Sequence, residues 1–557
     1  MPTDDDALHL LLARAGDNRP VLPDGLPLSA AVAPERVETL PDAPATRGAN
    51  DPNAGDAPED VPMSPPEPAP PLWGVIVPEG PAGDRLLALA DRLIKHREAR
   101  QGRPAPVYRV PRASGPMSLS EALAWRTTHY DTGADLGAER AELQLILGDL
   151  DQVPLAIQKV QSIDGYVGRL FFADEKGYDA YIDKVLRAEG APRRGPGRVV
   201  LHTAHDGSRA LDLGLEGLTA PGEALLRAGV AGGEIQAREI LSYAVPSEPG
   251  KDVLLQRVSA PDPGVLFTMS HGLGLPIDGW RSPAAQRGGQ GAMQFGITDS
   301  LIGDEIRTGT FMPSGLWFCF ACFSAGTPDA SVYAPWLERL TARGRTPPDL
   351  GRALAMEAPF VADLPQKALC NPDGPLAFVG HVDLAWTHSF RDDDDPQQRR
   401  AGRFMRVLTS ALAGDPVGVA FQKLTQFVLE ADAALTYFYA RDVAPVPAAL
   451  DAATERQRAL LWMRRQDLGG FILLGDPAVE LPVGVAAPAR AVGDVTVTTT
   501  LGTSPPGAAL ERAVLEVLLA DKSLAAIAGA SGIDATVLER AAALYREAGR
   551  RAIGLDP

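Results

Sequence analysis

The sequence predicts an α/β fold built on a mostly parallel sheet flanked by helices. Three observations carry this. Near-continuous apolar runs of strand length recur along the chain, as expected of strands covered on both faces. Stretches with helical apolar spacing lie among them, and such alternation makes parallel sheets. Gly and Pro, 56 and 50 of the 557 residues, mark the junctions.

The elements follow in order. Residues 1–72 hold 15 of the 50 Pro and 13 acids against 4 bases, a net −9. That composition cannot offset ordering entropy, so a disordered acidic tail is expected. A short helical turn around Leu8 to Leu12 is its one exception. Order begins at Trp73 with the buried-strand run "WGVIVPEG". A helix follows in "GDRLLALADRLIKHREARQG", then strands in "PVYRVP" and "AELQLILGDLDQVP" and a helix in "GYDAYIDKVLRAEG". Residues 73–190 thus form a first α/β half, and "APRRGPG" links it onward.

Residues 198–485 form a second half. Its strands are "RVVLHTAHDG", "GVLFTMSHG", "GLWFCFACFSAG" and "GPLAFVGHVDLAW", with helices in "YAPWLERLTARG" and "FMRVLTSALAG". The last strand, "FILLGDPAVELP", echoes "LILGDLDQVP" of the first half. Residues 505–557 read as a helical module resembling a helix-turn-helix. Its 6 bases and 7 acids lack the charge of a DNA reader, which leaves packing or partner docking.

Composition excludes several function classes. A net charge of −18 disfavours nucleic-acid and anionic-membrane binders. Three Cys exclude a disulfide scaffold and a four-thiolate zinc site. No apolar run reaches the roughly 18 residues of a membrane span. The start, "MPTDDDALHLLLARAGD", has acids where a secretory signal needs a basic flank, so a cytoplasmic location is expected. No motif calls for a cofactor or a metal. Zinc-helix and phosphate-loop spacings are absent, and "RDDDDPQQRR" reads as a solvated loop, with calcium the alternative.

Active sites of open parallel sheets form beyond the carboxyl ends of strands. Two such ends carry reactive side chains, Ser270-His271-Gly272 and Ala321-Cys322-Phe323, with His271 51 positions before Cys322. A thiol needs a base to become a nucleophile, and imidazole is the natural partner. The bland alternatives are a turn histidine and an inert buried cysteine. Cys319 with Cys322 spells C-x-x-C, but residues at odd separation in a strand point to opposite faces, so the pair is not expected to meet. Cys370 is placed in a loop before a strand.

This arrangement resembles the caspase-like cysteine peptidases, in which a His-Gly ending one strand precedes a Cys ending another by about 50 residues. "SHG" and the small residues after Cys322 carry the likeness. "LILGDLDQVP", "GHVDLAW" and "FILLGDPAVELP" resemble recurrent segments of the gingipain-type branch. The resemblance spans roughly residues 73–485. It implies a caspase-like catalytic half at 198–485 and a non-catalytic half at 73–190. It also implies a thiol protease acting on protein substrates, with Cys322 as nucleophile and His271 as base or as proton donor to the leaving amine. Backbone N–H groups of Gly272 and Cys322 would bind the oxyanion. The dyad is expected at exposed strand ends. Asp206 and Asp383, also near strand ends, would line a pocket selecting a basic residue before the scissile bond. Arg209 is the rival, selecting Asp, and all three as surface residues is the third possibility. The alternative function is an inactive caspase-like scaffold or sensor that recruits a partner through the C-terminal helices.

Overall fold

Gly264–Met269, "GVLFTM", is apolar but for Thr268 and wholly buried, and it lies within a ten-stranded sheet. The computed structural model describes residues 7–31, 71–112, 115–131, 140–243, 250–344, 350, 358–390, 400–442 and 452–484. The chain divides into two units, 1–486 and 487–557, and all described residues lie in the first. The expected helical module at 505–557 and the acidic loop at 391–399 lie outside the described residues.

Strands are numbered along the chain. The N-terminal segment carries β1 (Ala7–Leu8), β2 (Leu12–Arg14) and β3 (Leu26–Pro27). The first half supplies β4 (Trp73–Pro78), β5 (Val107–Val110), β6 (Leu143–Leu147) and β7 (Tyr166–Leu170). Next come β8 (Gly197–Thr203), β9 (Ala237–Tyr243), β10 (Gly264–Met269), β11 (Gly272–Gly274), β12 (Met293–Phe295) and β13 (Asp299–Leu301). The series closes with β14 (Leu316–Phe320), β15 (Gly326–Thr327), β16 (Phe360–Val361), β17 (Ala377–His381) and β18 (Phe471–Leu474).

Ten of these make one sheet, in the order β5-β4-β6-β7-β18-β17-β14-β10-β8-β9. Every neighbouring pair is parallel except β17 with β18. The expected mostly parallel α/β sheet is therefore present. The two halves read from the sequence are joined in it edge to edge, because β18, the last strand, returns to pair with β7 of the first half. β7 and β9 were not anticipated from the sequence.

Alternation within the strands explains the helices on both faces. Val75 and Val77 share a buried cluster with Leu86, Ala90 and Leu93 of the helix Pro81–Gln101. Ile76, between them, belongs to a second cluster with Trp125 and Ile157 from the helices Leu119–Trp125 and Leu155–Gln161. Successive strand residues point to opposite faces, so each face must be covered. The echoed Gly-Asp pairs are matching turns. Gly148 and Gly475 both adopt positive φ at strand ends, +129° and +115°.

Residues 7–31 are not a tail. Leu8, Leu10, Leu11, Leu12, Val21, Leu22 and Leu26 are buried in the main apolar cluster. The expected helical turn at Leu8 to Leu12 is instead extended chain containing parts of β1 and β2. Low hydrophobicity averaged over 72 residues concealed one apolar patch, "ALHLLLA". Burying each leucine there contributes roughly 1.5–3 kcal/mol, enough to order a short segment against an existing groove.

Candidate active site

Four adjacent parallel strands, β8, β10, β14 and β17, end on the same edge of the sheet. Their carboxyl ends deliver Asp206, His271, Cys322 and the stretch Asp383–Thr387. The ladder continues one step past β10, where the Ser270 N–H donates to the Phe320 carbonyl at 3.2 Å, and this sets the His271 and Cys322 backbones side by side. The approach is close: a Cβ on Gly272 would stand 1.9 Å from the Cys322 carbonyl oxygen. Only glycine fits there. Phe323, directly after Cys322, adopts φ +56°, a left-handed conformation that costs a bulky residue roughly 1–3 kcal/mol and often accompanies functional sites.

His271 is oriented from one side. Its Nε2 lies 3.0 Å from Ser208 Oγ and 3.4 Å from Asp206 Oδ2, while Nδ1 has no hydrogen-bond partner. Burial holds its pKa below the ordinary value, and Asp206 opposes that shift. The Cys322 sulfur accepts the Ala385 N–H at 3.0 Å. Burial pushes this thiol well above its usual value; nearby Asp467 and Asp383 add to the rise, against hydrogen bonds involving Ala385 and Leu11. Cys319 is a second free thiol, pushed up to about 12 by burial and set with Thr268 and Ser324. Cys370 ends the helix Asp363–Cys370 rather than lying in a loop.

The expected exposure of the dyad is not observed. His271 and Cys322 are wholly buried, and residues 9–14 run across them. The Leu11 carbonyl oxygen accepts the Gly272 N–H at 2.9 Å and the Cys322 N–H at 3.3 Å. The two backbone donors singled out from the sequence thus converge on one peptide oxygen. The Leu11 N–H donates to Ala385 O, and the Thr387 N–H to His9 O, both at 2.9 Å. Leu10 bridges Trp386 in antiparallel sense, and β2 continues in parallel with β11. Trp386 is itself braced, its backbone N–H donating to Asp467 Oδ1 at 2.7 Å.

The acidic pocket expected from Asp206 and Asp383 takes a different form. Asp383 is turned into the fold, accepting from Ser331 Oγ (2.7 Å), the Val332 N–H (2.9 Å) and the Leu384 N–H (2.7 Å). These three hydrogen bonds tie it to the chain that shapes the site. The buried Asp206 carboxylate faces His271 and takes the Ser208 N–H at 2.9 Å. Arg209 pairs with Glu216 at 3.3 Å. Among the described residues, no group of three or more His, Cys, Asp or Glu is arranged to hold a metal ion, and no helix is long and apolar enough to cross a membrane.

Leu11, Ser208 and Ala385 were missed in the sequence. The apolar patch inside an acidic Pro-rich segment was the one available signal for Leu11. Ser208 and Ala385 act through position and backbone, which leave no compositional mark.

No protein-family model matches the sequence, and no curated protein matches it. Among solved structures, one described as "Structure of Protease" is similar over 74% of this chain and 78% of its own, with a TM-score of 0.42 and 12% identity.

Proposed function

We propose that the protein is a cysteine endopeptidase of caspase-like type, with the gingipain-type branch its best resemblance. The observation that supports this most is the convergence of the Gly272 and Cys322 N–H groups on a single peptide carbonyl oxygen beside the Cys322 thiol. Preorganised backbone donors of this kind stabilise the oxyanion of acyl transfer, where losing one donor costs about 10²–10³ in rate. In this reading Cys322, as thiolate, attacks the scissile carbonyl carbon. Asp206 and Ser208 hold the imidazole by Nε2, leaving Nδ1 to take up the thiol proton and pass it to the leaving amine. A thioester on Cys322 is then hydrolysed by water.

Coverage of the site by residues 9–14 also suits a second reading, an inactive scaffold whose groove is permanently filled. A peptidyl electrophile separates the two. Adduct formation at Cys322, located by peptide mapping, lost in Cys322→Ala and kept in Cys319→Ala, supports the peptidase. No Cys322-dependent adduct, and no hydrolysis of a peptide library by the chain or by a variant opened at Leu11, would reject it.

A further inference from the structure

Residues 9–14 lie in the groove as an extended peptide paired through its backbone on both sides of Leu11. On the amino side of Leu11 the chain makes an antiparallel pairing with residues 385–387, through Leu11 N–H to Ala385 O and Thr387 N–H to His9 O. On the carboxyl side Leu12, Ala13 and Arg14 pair in parallel with Gly272, Leu273 and Gly274. The change of partner falls at the Leu11 carbonyl, the group held by Gly272 and Cys322. Backbone pairing of this kind binds extended peptides with little regard to sequence, and pockets for side chains add the selectivity. Leu8, Leu10, Leu11 and Leu12 are all buried here.

Resting on the peptidase reading, we infer that residues 9–14 are an internal substrate: the first bond cut is Leu11–Leu12 of the enzyme's own chain, and the groove takes an aliphatic, leucine-type side chain before the scissile bond. The step balances without an outside oxidant or cofactor. The Cys322 sulfur bonds to the Leu11 carbonyl carbon as the Leu11–Leu12 C–N bond breaks. The thiol proton passes by way of His271 to the Leu12 nitrogen, which leaves as an amine. Water then cleaves the thioester, giving a Leu11 carboxylate and the free thiol. Until that happens the chain is latent, since the segment covers both reactive side chains. Leu11 is wholly buried in the main apolar cluster, an environment that suits an aliphatic side chain. Asp383 accepts three hydrogen bonds from within the fold, and the Asp206 carboxylate faces His271.

The test is to incubate the purified full-length chain and follow its intact mass and N-terminal sequence. The expected product begins at Leu12. It forms at a rate independent of protein concentration and is absent in Cys322→Ala. Peptide hydrolysis should show a lag that follows this cleavage, and Leu11→Glu, which unseats the segment, should remove the lag. Fluorogenic peptides ending in Leu should be cut roughly 10-fold or more faster than those ending in Arg or Asp. If Leu11→Glu does not fold, the wild-type product and a synthetic peptide of residues 7–16, cut between the same leucines, still carry the test. Cys322-dependent hydrolysis of outside peptides with Leu11–Leu12 intact, or a preference for Arg, would overturn this inference and leave the peptidase reading in place. Absence of any Cys322-dependent hydrolysis would end both.

Discussion

Gly272 and Cys322 touch through their backbones: a methyl group on Gly272 would meet the Cys322 carbonyl oxygen at 1.9 Å. Backbone cannot yield as a flexible side chain can. Gly272→Ala should therefore push β11 away from the end of β14 and separate the two N–H groups that share the Leu11 carbonyl. The expected outcome is a loss of about 10²-fold or more in peptide hydrolysis, with a destabilisation of roughly 1–3 kcal/mol read from urea unfolding. Wild-type activity in Gly272→Ala would show that these donors are not used.

Cys322→Ser and His271→Ala should each lower turnover by several orders of magnitude while circular dichroism remains that of a folded chain. Sequence reasoning places both residues at exposed strand ends, but they are buried, so some stability is lost as well. Serine keeps an acceptor for the Ala385 N–H, whereas Cys322→Ala strands that buried donor at a cost of about 1–3 kcal/mol. The difference between the two unfolding midpoints measures it.

Asp206→Asn tests a positioning role. Asp206 raises the His271 pKa against burial, so its neutral replacement should move the acidic limb of the pH–rate profile to lower pH. Turnover should fall by roughly 10²-fold, with KM little changed. An altered residue preference with an unmoved pH profile would return Asp206 to the substrate pocket.

Removing residues 1–31 should destabilise the chain, in contrast to the disordered tail expected from the composition of residues 1–72. Leu10→Ala alone should cost about 2–5 kcal/mol, the usual range for a buried leucine. Thermal unfolding of the single variant, followed at two protein concentrations, checks this without deleting the segment.

Two buried histidines set an acid limit. His202 and His381 are each lowered by burial to about 4 from an ordinary 6.5. The unfolded chain binds their protons first, so the histidines' contribution to stability is full above pH 6.5 and is lost as pH drops toward 4. Each contributes at most on the order of 3 kcal/mol. Asp467, raised by burial to about 8, acts oppositely: stability falls as pH rises from 3.8 to 8. Urea midpoints between pH 4 and 6.5 should flatten in His202→Leu, and an unchanged slope would assign the acid sensitivity elsewhere.

Much of the fold was legible because its signals are local. The apolar runs at Trp73–Pro78, Gly264–Met269 and Leu316–Phe320 must be covered on both faces, whatever the rest of the chain does. His271 and Cys322 could be singled out because each follows such a run. β7 and β9 were not seen, since "YVGRL" and "AREILSY" carry charged residues whose partners lie elsewhere. Arg169, for example, is fully buried yet bonded to Gln158 and to the carbonyls of Gly148, Asp149 and Val153.

By itself the sequence determined the α/β class, the strand ends that bear His271 and Cys322, and the glycine between them. Tertiary structure alone decided that β18 joins the two halves, that Asp383 points inward and that Asp206 turns to His271. It also decided that Leu11, some 260 residues before Gly272 along the chain, lays its carbonyl between Gly272 and Cys322. Periodicity reports what a segment must bury. Which distant groove receives it depends on backbone donors left unpaired at that groove, and an unpaired N–H has no letter in the sequence.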